Sequence, residues 1–315
     1  LESILAQIAD PSVLAPVIEV CAVSKRFGAV QAVDGVDLVV GRGELFGLIG
    51  HNGAGKSTLF KMMLGLLPTS SGEIRIDSEA VTGPGFRAVR RKIGYLPENV
   101  VLYDNLTGIE TLHFFADLKG ADKRECGAAL ERVGLAKAAS RRVREYSKGM
   151  RQRLGFAQAL LGKPQILFLD EPTSGLDPEA IREFYAVLRG LRDEGVTMIL
   201  TSHILAEIQE RVDRLAIIKN GKLQAVGTVQ SLRERMKLPL TIELARGAAL
   251  RLHIERLLEG LPVGRIEVRG EHLLIQIPRE AKLPALARLT REEEGIDDLH
   301  VREPSLEDVF FGFSD

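Results

Sequence analysis

The stretch Leu45-Phe46-Gly47-Leu48-Ile49-Gly50-His51-Asn52-Gly53-Ala54-Gly55-Lys56-Ser57-Thr58 decides the fold. Leu45–Ile49 is short and continuously apolar, as strands buried on both faces of a parallel sheet are. Beyond the loop, Lys56–Leu67 carries Leu59, Met62, Met63 and Leu66 at helical spacing. Gly50–Thr58 between them fits the pattern G-x-x-x-x-G-K-[ST]. The glycines allow consecutive backbone N–H groups to converge on phosphate oxygens, and the helix N-terminus adds a partial positive charge. Lys56 is expected to contact the β- and γ-phosphates and Ser57 to ligate Mg²⁺. A glycine-rich turn with a surface lysine shares these letters, but it does not require a buried strand before it and an amphipathic helix after it. His51 is counted with the loop and given no chemical role, because it occupies a variable position there.

Working outward, two more apolar strands are predicted at Ile166–Leu169 and Val196–Leu200, separated by a helix at Ile181–Arg192. Strand–helix alternation of this kind predicts an α/β sheet with ligands at the carboxyl ends of its strands. The first of these strands ends in Asp170-Glu171. Asp170 suits a Mg²⁺ shell, and Glu171 could polarise an attacking water as a general base. Without the phosphate loop, the same two acids could equally feed a solvated turn. His203, in Thr201-Ser202-His203, follows the other strand and can reach a γ-phosphate from that end of the sheet. His113, His253, His272 and His300 are scattered and read as solvated or structural. Residues 105–162 read as mostly helical, stopped by Pro164. Asn220-Gly221 predicts a hairpin over Leu215–Val226.

The chain has 315 residues, 45% hydrophobic and 27% charged, with 42 basic and 43 acidic side chains. Length suggests one large domain and a smaller one, and the near-zero net charge disfavours nucleic acid as a partner. Cys21 and Cys126 form no CxxC pair, which fits a reducing, cytoplasmic compartment. No apolar run approaches the roughly 18 residues of a membrane span, and the start shows no signal-peptide pattern. The chain begins without Met, so a trimmed N-terminus is expected. Residues 1–16 are expected to be an appendage. Composition shifts near Lys237-Leu238-Pro239, and 240–315 predicts strand 240–244, helix 249–259, strands 264–269 and 272–277, helix 281–293 and strand 297–302. That βαββαβ order fits a ferredoxin-like module.

Further motifs, in order, resemble the ABC ATPase family over residues 17–235. Tyr146-Ser147-Lys148-Gly149-Met150-Arg151-Gln152-Arg153 resembles the family's L-S-G-G-Q signature. Pro172-Thr173-Ser174-Gly175-Leu176-Asp177 is similar to its D-loop, and His203 to its switch histidine. Phe27 matches the aromatic that stacks on adenine, and Gly94–Asn99 the coupling loop. The resemblance implies a P-loop NTPase of ABC type over 17–236, with a mixed sheet core, an antiparallel β subdomain and a helical subdomain. A small α+β domain follows over 240–315. It implies ATP and Mg²⁺ as cofactors and ATP hydrolysis as the activity, with Glu171, His203 and Lys56 as catalytic residues. Gly50–Thr58, Phe27, Glu98, Ser147, Gly149 and Asp177 would contact nucleotide, and Ser57, Asp170 and Glu98 the metal. It also implies a head-to-tail dimer in which Ser147 and Gly149 serve the partner's ATP, on the cytoplasmic face of the inner membrane against a separate permease.

Two departures stand out. Lys148 and Met150 occupy positions where the family carries Gly and Gln, and Glu98 stands where Gln is usual, which adds charge beside the metal. The basic cluster Arg141, Arg142, Arg144, Lys148, Arg151 and Arg153 lacks the interleaved aromatics of a nucleic-acid surface. Leu96–Val100, Ser147–Gly155 and Gln224–Gly227 are similar to the ATPases of nitrous oxide reductase maturation. That resemblance implies a copper or sulfur cargo and a periplasmic accessory protein reached through the permease. Glu303–Phe310 is typical of export-type members generally, so exporters of drugs, heme or polysaccharides remain the alternative. A soluble ABC protein acting on ribosomes or DNA would carry tandem cassettes or long insertions. A simple kinase module would lack the Tyr146–Met150 signature.

Overall fold

A computed structural model describes residues 15–235, 239–245, 247–290, 296 and 298–302. Most of the expected 1–16 appendage and all of the Glu303–Phe310 segment lie outside these residues. The chain divides into two compact units, at Val229/Gln230.

In the first unit, long strands β1 (Pro16–Phe27) and β2 (Val30–Gly41) pair antiparallel. The central strand β3 (Leu45–Ile49) is buried at every residue. Helix α1 (Lys56–Met63) follows the phosphate loop. It is shorter than the expected Lys56–Leu67 because Gly65 turns left-handed at φ 66°, leaving Leu66 exposed. The order continues with β4 (Ser71–Ile76), β5 (Glu79–Ala80), α2 (Phe86–Arg91) and β6 (Ile93–Leu96). The predicted helical stretch 105–162 is three helices, α3 (Gly108–Lys119), α4 (Glu125–Arg132) and α5 (Lys148–Leu160). Gly120 and Gly134 interrupt it, at φ 71° and 73°. Then come β7 (Ile166–Leu169), α6 (Pro178–Asp193), β8 (Thr197–Ser202), α7 (Leu205–Ile208), β9 (Arg214–Lys219) and β10 (Lys222–Gly227).

Six strands form a mixed sheet in the order β10-β9-β3-β8-β7-β6, and β2-β1-β4-β5 form a separate antiparallel sheet. Within the first, β6, β7, β8, β3 and β9 run parallel and β10 returns antiparallel. All residues of β7 and β8 are buried; β7 is apolar throughout, as a strand covered on both faces tends to be, while β8 carries Thr197, Thr201 and Ser202 around its apolar Met198–Leu200 and runs to Ser202 rather than the expected Leu200. The core lies between the sheets, where Ile18, Val20 and Leu38 meet Leu59, Phe60 and Met63 of α1 and Phe46 and Phe168 of the parallel strands.

The β9–β10 hairpin turns on Asn220 and Gly221, both at positive φ (52° and 75°), as a type I′ turn requires. Its tip is part of the site: the Gly221 N–H donates to Ala54 O, and Gly221 O accepts from the Asp34 N–H, both at 2.9 Å.

After α8 (Val229–Arg235), the second unit contains β11 (Leu240–Leu244), α9 (Arg251–Leu257), β12 (Ile266–Arg269), β13 (His272–Ile277), α10 (Lys282–Leu289) and β14 (Leu299–Arg302). Its sheet order is β12-β13-β11-β14 with every pairing antiparallel, so β11 and β12 run parallel with β13 between them. Alternate residues Leu240, Ile242 and Leu244 enter a core with Ile254, Leu258, Ala285 and Leu289 of the helical segments. Among the described residues, no helix is long and apolar enough to cross a membrane.

One buried ion pair ties the edge of the parallel sheet to β2. Arg214, 2% exposed, lies 3.2 Å from Glu44 Oε1 and also donates to Val39 O, while Glu44 Oε2 accepts from the Gly41 N–H. Removing one member of such a pair strands the other charge, whereas replacing both with apolar groups is far milder. Glu44→Leu is therefore expected to cost about 3–5 kcal/mol in urea denaturation of the full chain, and Glu44→Leu with Arg214→Met to recover most of it. A single variant as stable as the parent would refute this account.

Candidate active site

The phosphate loop is built by exclusion of side chains. A Cβ on Gly50 would lie 2.4 Å from Ile218 O of β9, and one on Gly55 2.5 Å from Ala32 O of β2. Gly55 is also the N-cap residue of α1 at φ 106°, a conformation that L side chains rarely adopt. No side chain caps α1 and its first turn holds no acid, so its leading N–H groups face the cleft with the dipole uncompensated.

Lys56, 5% exposed, donates to Gly50 O at 2.6 Å and His51 O at 3.3 Å, and its Nζ stands 3.5 Å from Glu171 Oε1. Those bonds draw the ammonium across the loop rather than out to solvent. The cleft measures about 360 Å³ and is lined by residues 51–58, Ala32, Glu98, Glu171, Ser174 and His203. All of its ionisable neighbours to the loop come from carboxyl ends of β6, β7 and β8, as the sheet topology demands.

Asp170 and Glu171 follow β7. Asp170 is 4% exposed; its N–H donates to Leu96 O, and its Oδ1 accepts from the Thr201 hydroxyl at 2.6 Å. Burial pushes the Asp170 carboxyl above the usual range, and the Thr201 hydrogen bond works against that shift. Glu171 sits at φ 45°, costly for a residue with a Cβ and common where a chain must aim a side chain. Its N–H donates to Thr201 Oγ1 at 2.8 Å, and its Oε2 lies 2.8 Å from His203 Nδ1. The two oxygens of Glu171 thus face Lys56 on one side and His203 on the other.

The remaining nucleotide candidates stand elsewhere. Ser147 is the N-cap of α5, its hydroxyl accepting from the Met150 N–H at 3.2 Å. Asp177 is the N-cap of α6, accepting from the Ala180 N–H at 2.8 Å. Together with Lys148, Gly149, Met150 and Gly175 they line a second cleft of about 570 Å³, which shares no lining residue with the first. Phe27 is 47% exposed at the end of β1 and lines neither cleft; Lys25 Nζ lies 5.2 Å from its ring centroid. The basic cluster is partly neutralised: Arg151 pairs with Asp104 at 2.6 Å and Arg153 with Glu183 at 2.7 Å.

Three residues of this region had no assigned role from sequence. Ser174 lines the phosphate cleft. Gln152, buried on α5, donates to Pro172 O at 3.1 Å. Thr201 holds both Asp170 and Glu171. For Thr201 the available signal was a polar residue ending the apolar run Met198-Ile199-Leu200, next to the strand that bears the acids.

The oxygen donors Ser57, Asp170 and Glu98 form a hard set of few protein ligands, which suits Mg²⁺ completed by substrate phosphate and water. Their chemistry, and the placement of Ser57 and Glu98 on one cleft, fit that ion.

Comparison with known proteins identifies the family. The family model described as ABC transporter matches residues 33–174. The daunorubicin resistance ATP-binding protein DrrA3 of Streptomyces coeruleorubidus is 36% identical over 299 residues, 91% of this chain and 92% of that protein. The linearmycin resistance ATP-binding protein LnrL of Bacillus subtilis is 32% identical over 300 residues, 93% and 96% of the two chains. Among solved structures, the ATP-binding subunit of an ABC transporter superposes with a TM-score of 0.64 at 34% identity, covering 70% of this chain and 93% of its own. A dimeric ATP-binding cassette in a post-hydrolysis state with ADP and Pi superposes at 0.62 and 25% identity, covering 67% and 98%. With relatives of this identity matched along nine-tenths of its length, the chain belongs to the ABC transporter family as an ATP-binding subunit with ATPase activity.

Proposed function

We propose that this ATPase works as one half of a head-to-tail dimer and drives a separate membrane permease that exports drug-like compounds. The observation that carries the dimer is the division of the nucleotide residues between two clefts: Lys56, Ser57, Glu98, Glu171 and His203 belong to one side, and Ser147 and Gly149 to the other. A single chain thus offers two half-sites, and pairing one with its counterpart on a second copy completes an enclosure for ATP. The dimeric state of the similar cassette bound to ADP and Pi supports the same reading.

Within the site, loop N–H groups and Lys56 bind the β- and γ-phosphates. Ser57, Asp170 and Glu98 would hold Mg²⁺, which when bound would neutralise charge developing on the phosphoryl oxygens. Glu171 accepts a proton from the attacking water, and His203, bonded to Oε2, keeps that carboxylate turned toward the γ-phosphate. Phe27 offers an exposed ring at the end of β1 for the base. Ser147 caps a helix whose N-terminus would meet the partner's γ-phosphate. On this reading the chain resides on the cytoplasmic face of the membrane through its permease, and the second unit docks a partner or tunes dimer closure.

For the cargo, the resistance ATPases matched over nine-tenths of the chain support export of drug-like compounds. The similarity to reductase-maturation ATPases, with its copper or sulfur cargo and periplasmic accessory protein, rests on three short segments and receives no added weight from those relatives.

Glu171→Gln is expected to retain ATP binding, accumulate a closed dimer in size-exclusion chromatography and lose turnover by about two orders of magnitude or more; hydrolysis at the parental rate would remove Glu171 as the base. Mixing a Lys56→Ala chain with a Ser147→Ala chain should restore ATPase activity through one intact site per dimer, and complete absence of rescue would sink the composite site. In proteoliposomes with its permease, ATPase activity should rise with an amphiphilic antibiotic. Stimulation by copper or sulfide alone would instead favour reductase maturation.

A further inference from the structure

Strand β8 is buried from end to end, and Thr201 is 0% exposed within it. A hydroxyl sealed in that position is unfavourable unless its hydrogen bonds are met. Both are met by the catalytic corner: Thr201 Oγ1 donates to Asp170 Oδ1 at 2.6 Å and accepts from the Glu171 N–H at 2.8 Å. The direction is unambiguous, since a backbone N–H can only donate and the hydroxyl has one proton, which goes to the carboxylate. Met198, Ile199 and Leu200 of the same strand are apolar and equally buried, so burial by itself does not call for a hydroxyl at 201. The hydroxyl answers a chemical need.

That need is the backbone of Glu171. At φ 45° its N–H is turned toward β8 rather than into a ladder with a neighbouring strand, and a buried N–H without a partner is rare and costly. From the other side, Leu96 O of β6 accepts from the Asp170 N–H. The corner Asp170–Glu171 is therefore gripped from β6 by main chain and from β8 by one side-chain oxygen. Two residues later the same strand end delivers His203 to Glu171 Oε2.

We propose that Thr201 is a positioning residue for ATP hydrolysis, its single hydroxyl setting the carboxylate of Asp170 and the backbone of Glu171 in fixed register. This rests on the roles proposed above for Asp170 and Glu171. Groups that orient metal ligands from behind characteristically matter by about 10–100-fold in activity or metal affinity.

The test compares Thr201→Val and Thr201→Ser in the full chain, with Glu171→Gln alongside. Thr201→Val keeps shape and removes the hydroxyl. It should lower kcat by about 10–100-fold, leave ATP affinity within about twofold, and weaken Mn²⁺ binding, read by EPR with a slowly hydrolysed ATP analogue, by about tenfold. Thr201→Ser should recover kcat to within a few-fold. If Thr201→Val does not fold, Thr201→Ala removes the same hydroxyl from a smaller side chain and carries the same expectations. Parental kcat and Mn²⁺ affinity in the hydroxyl-free variant would overturn the inference. So would equal impairment of Thr201→Ser, with ATP affinity falling in step, because that pattern belongs to packing. Turnover surviving in Glu171→Gln would instead overturn the base assignment and this inference with it.

Discussion

The approach of main chain to main chain around the phosphate loop is the constraint from which the rest of the site follows. Gly50 and Gly55 stand where any Cβ would collide with carbonyl oxygens of Ile218 and Ala32. The loop is thereby wedged between β2 and β9, and Gly221 at the hairpin tip closes it with a bond to Ala54 O. Elements more than 150 residues apart in sequence thus shape one turn of backbone. Lys56 can lie across the loop because that turn presents Gly50 O and His51 O to it, and its position in turn puts it beside Glu171.

Electrostatics then divides the labour. The phosphate cleft collects carboxylates, a histidine and one buried lysine, while the second cleft carries a helix start with Lys148 in its first turn and no acid there. Positive charge at a helix N-terminus opposes the helix dipole, so Lys148 lowers the intrinsic stability of α5. A multiply charged anion arriving at that face relieves both the dipole and the lysine. The family's usual Gly at that position carries no such charge, and in this chain Lys148 also lies against Gly175, whose missing side chain leaves it room.

Much of this was legible in the sequence because the site uses close-packed strands and sharp turns, which have strict letter requirements. Leu45–Ile49 and Ile166–Leu169 were bounded correctly since buried parallel strands are apolar at every position. Asn220-Gly221 announced its turn because both residues must take positive φ. Missed elements include β4, most of whose residues are exposed, the two- and four-residue strands β5 and β6, and the short helices α2 and α7, all too short or too weakly patterned to show a period. Thr201 was quoted in the sequence but not assigned, since hydrogen bonding across neighbouring strands depends on register, which a single sequence does not state. Asp177 and Ser147 read as nucleotide contacts, Ser147 at the start of a helix; in the structure each is a helix N-cap.

Gln152 reaches from the middle of α5 to Pro172 O, directly after Glu171. In the proposed dimer, α5 senses the nucleotide held by the partner, whereas Glu171 acts on the nucleotide held by its own chain. One buried amide therefore spans the boundary between two different ATP molecules. In that dimer, a tilt of α5 on loss of the partner's γ-phosphate would pull on the chain that carries Glu171, and the two hydrolysis events would share a lever rather than run as independent clocks.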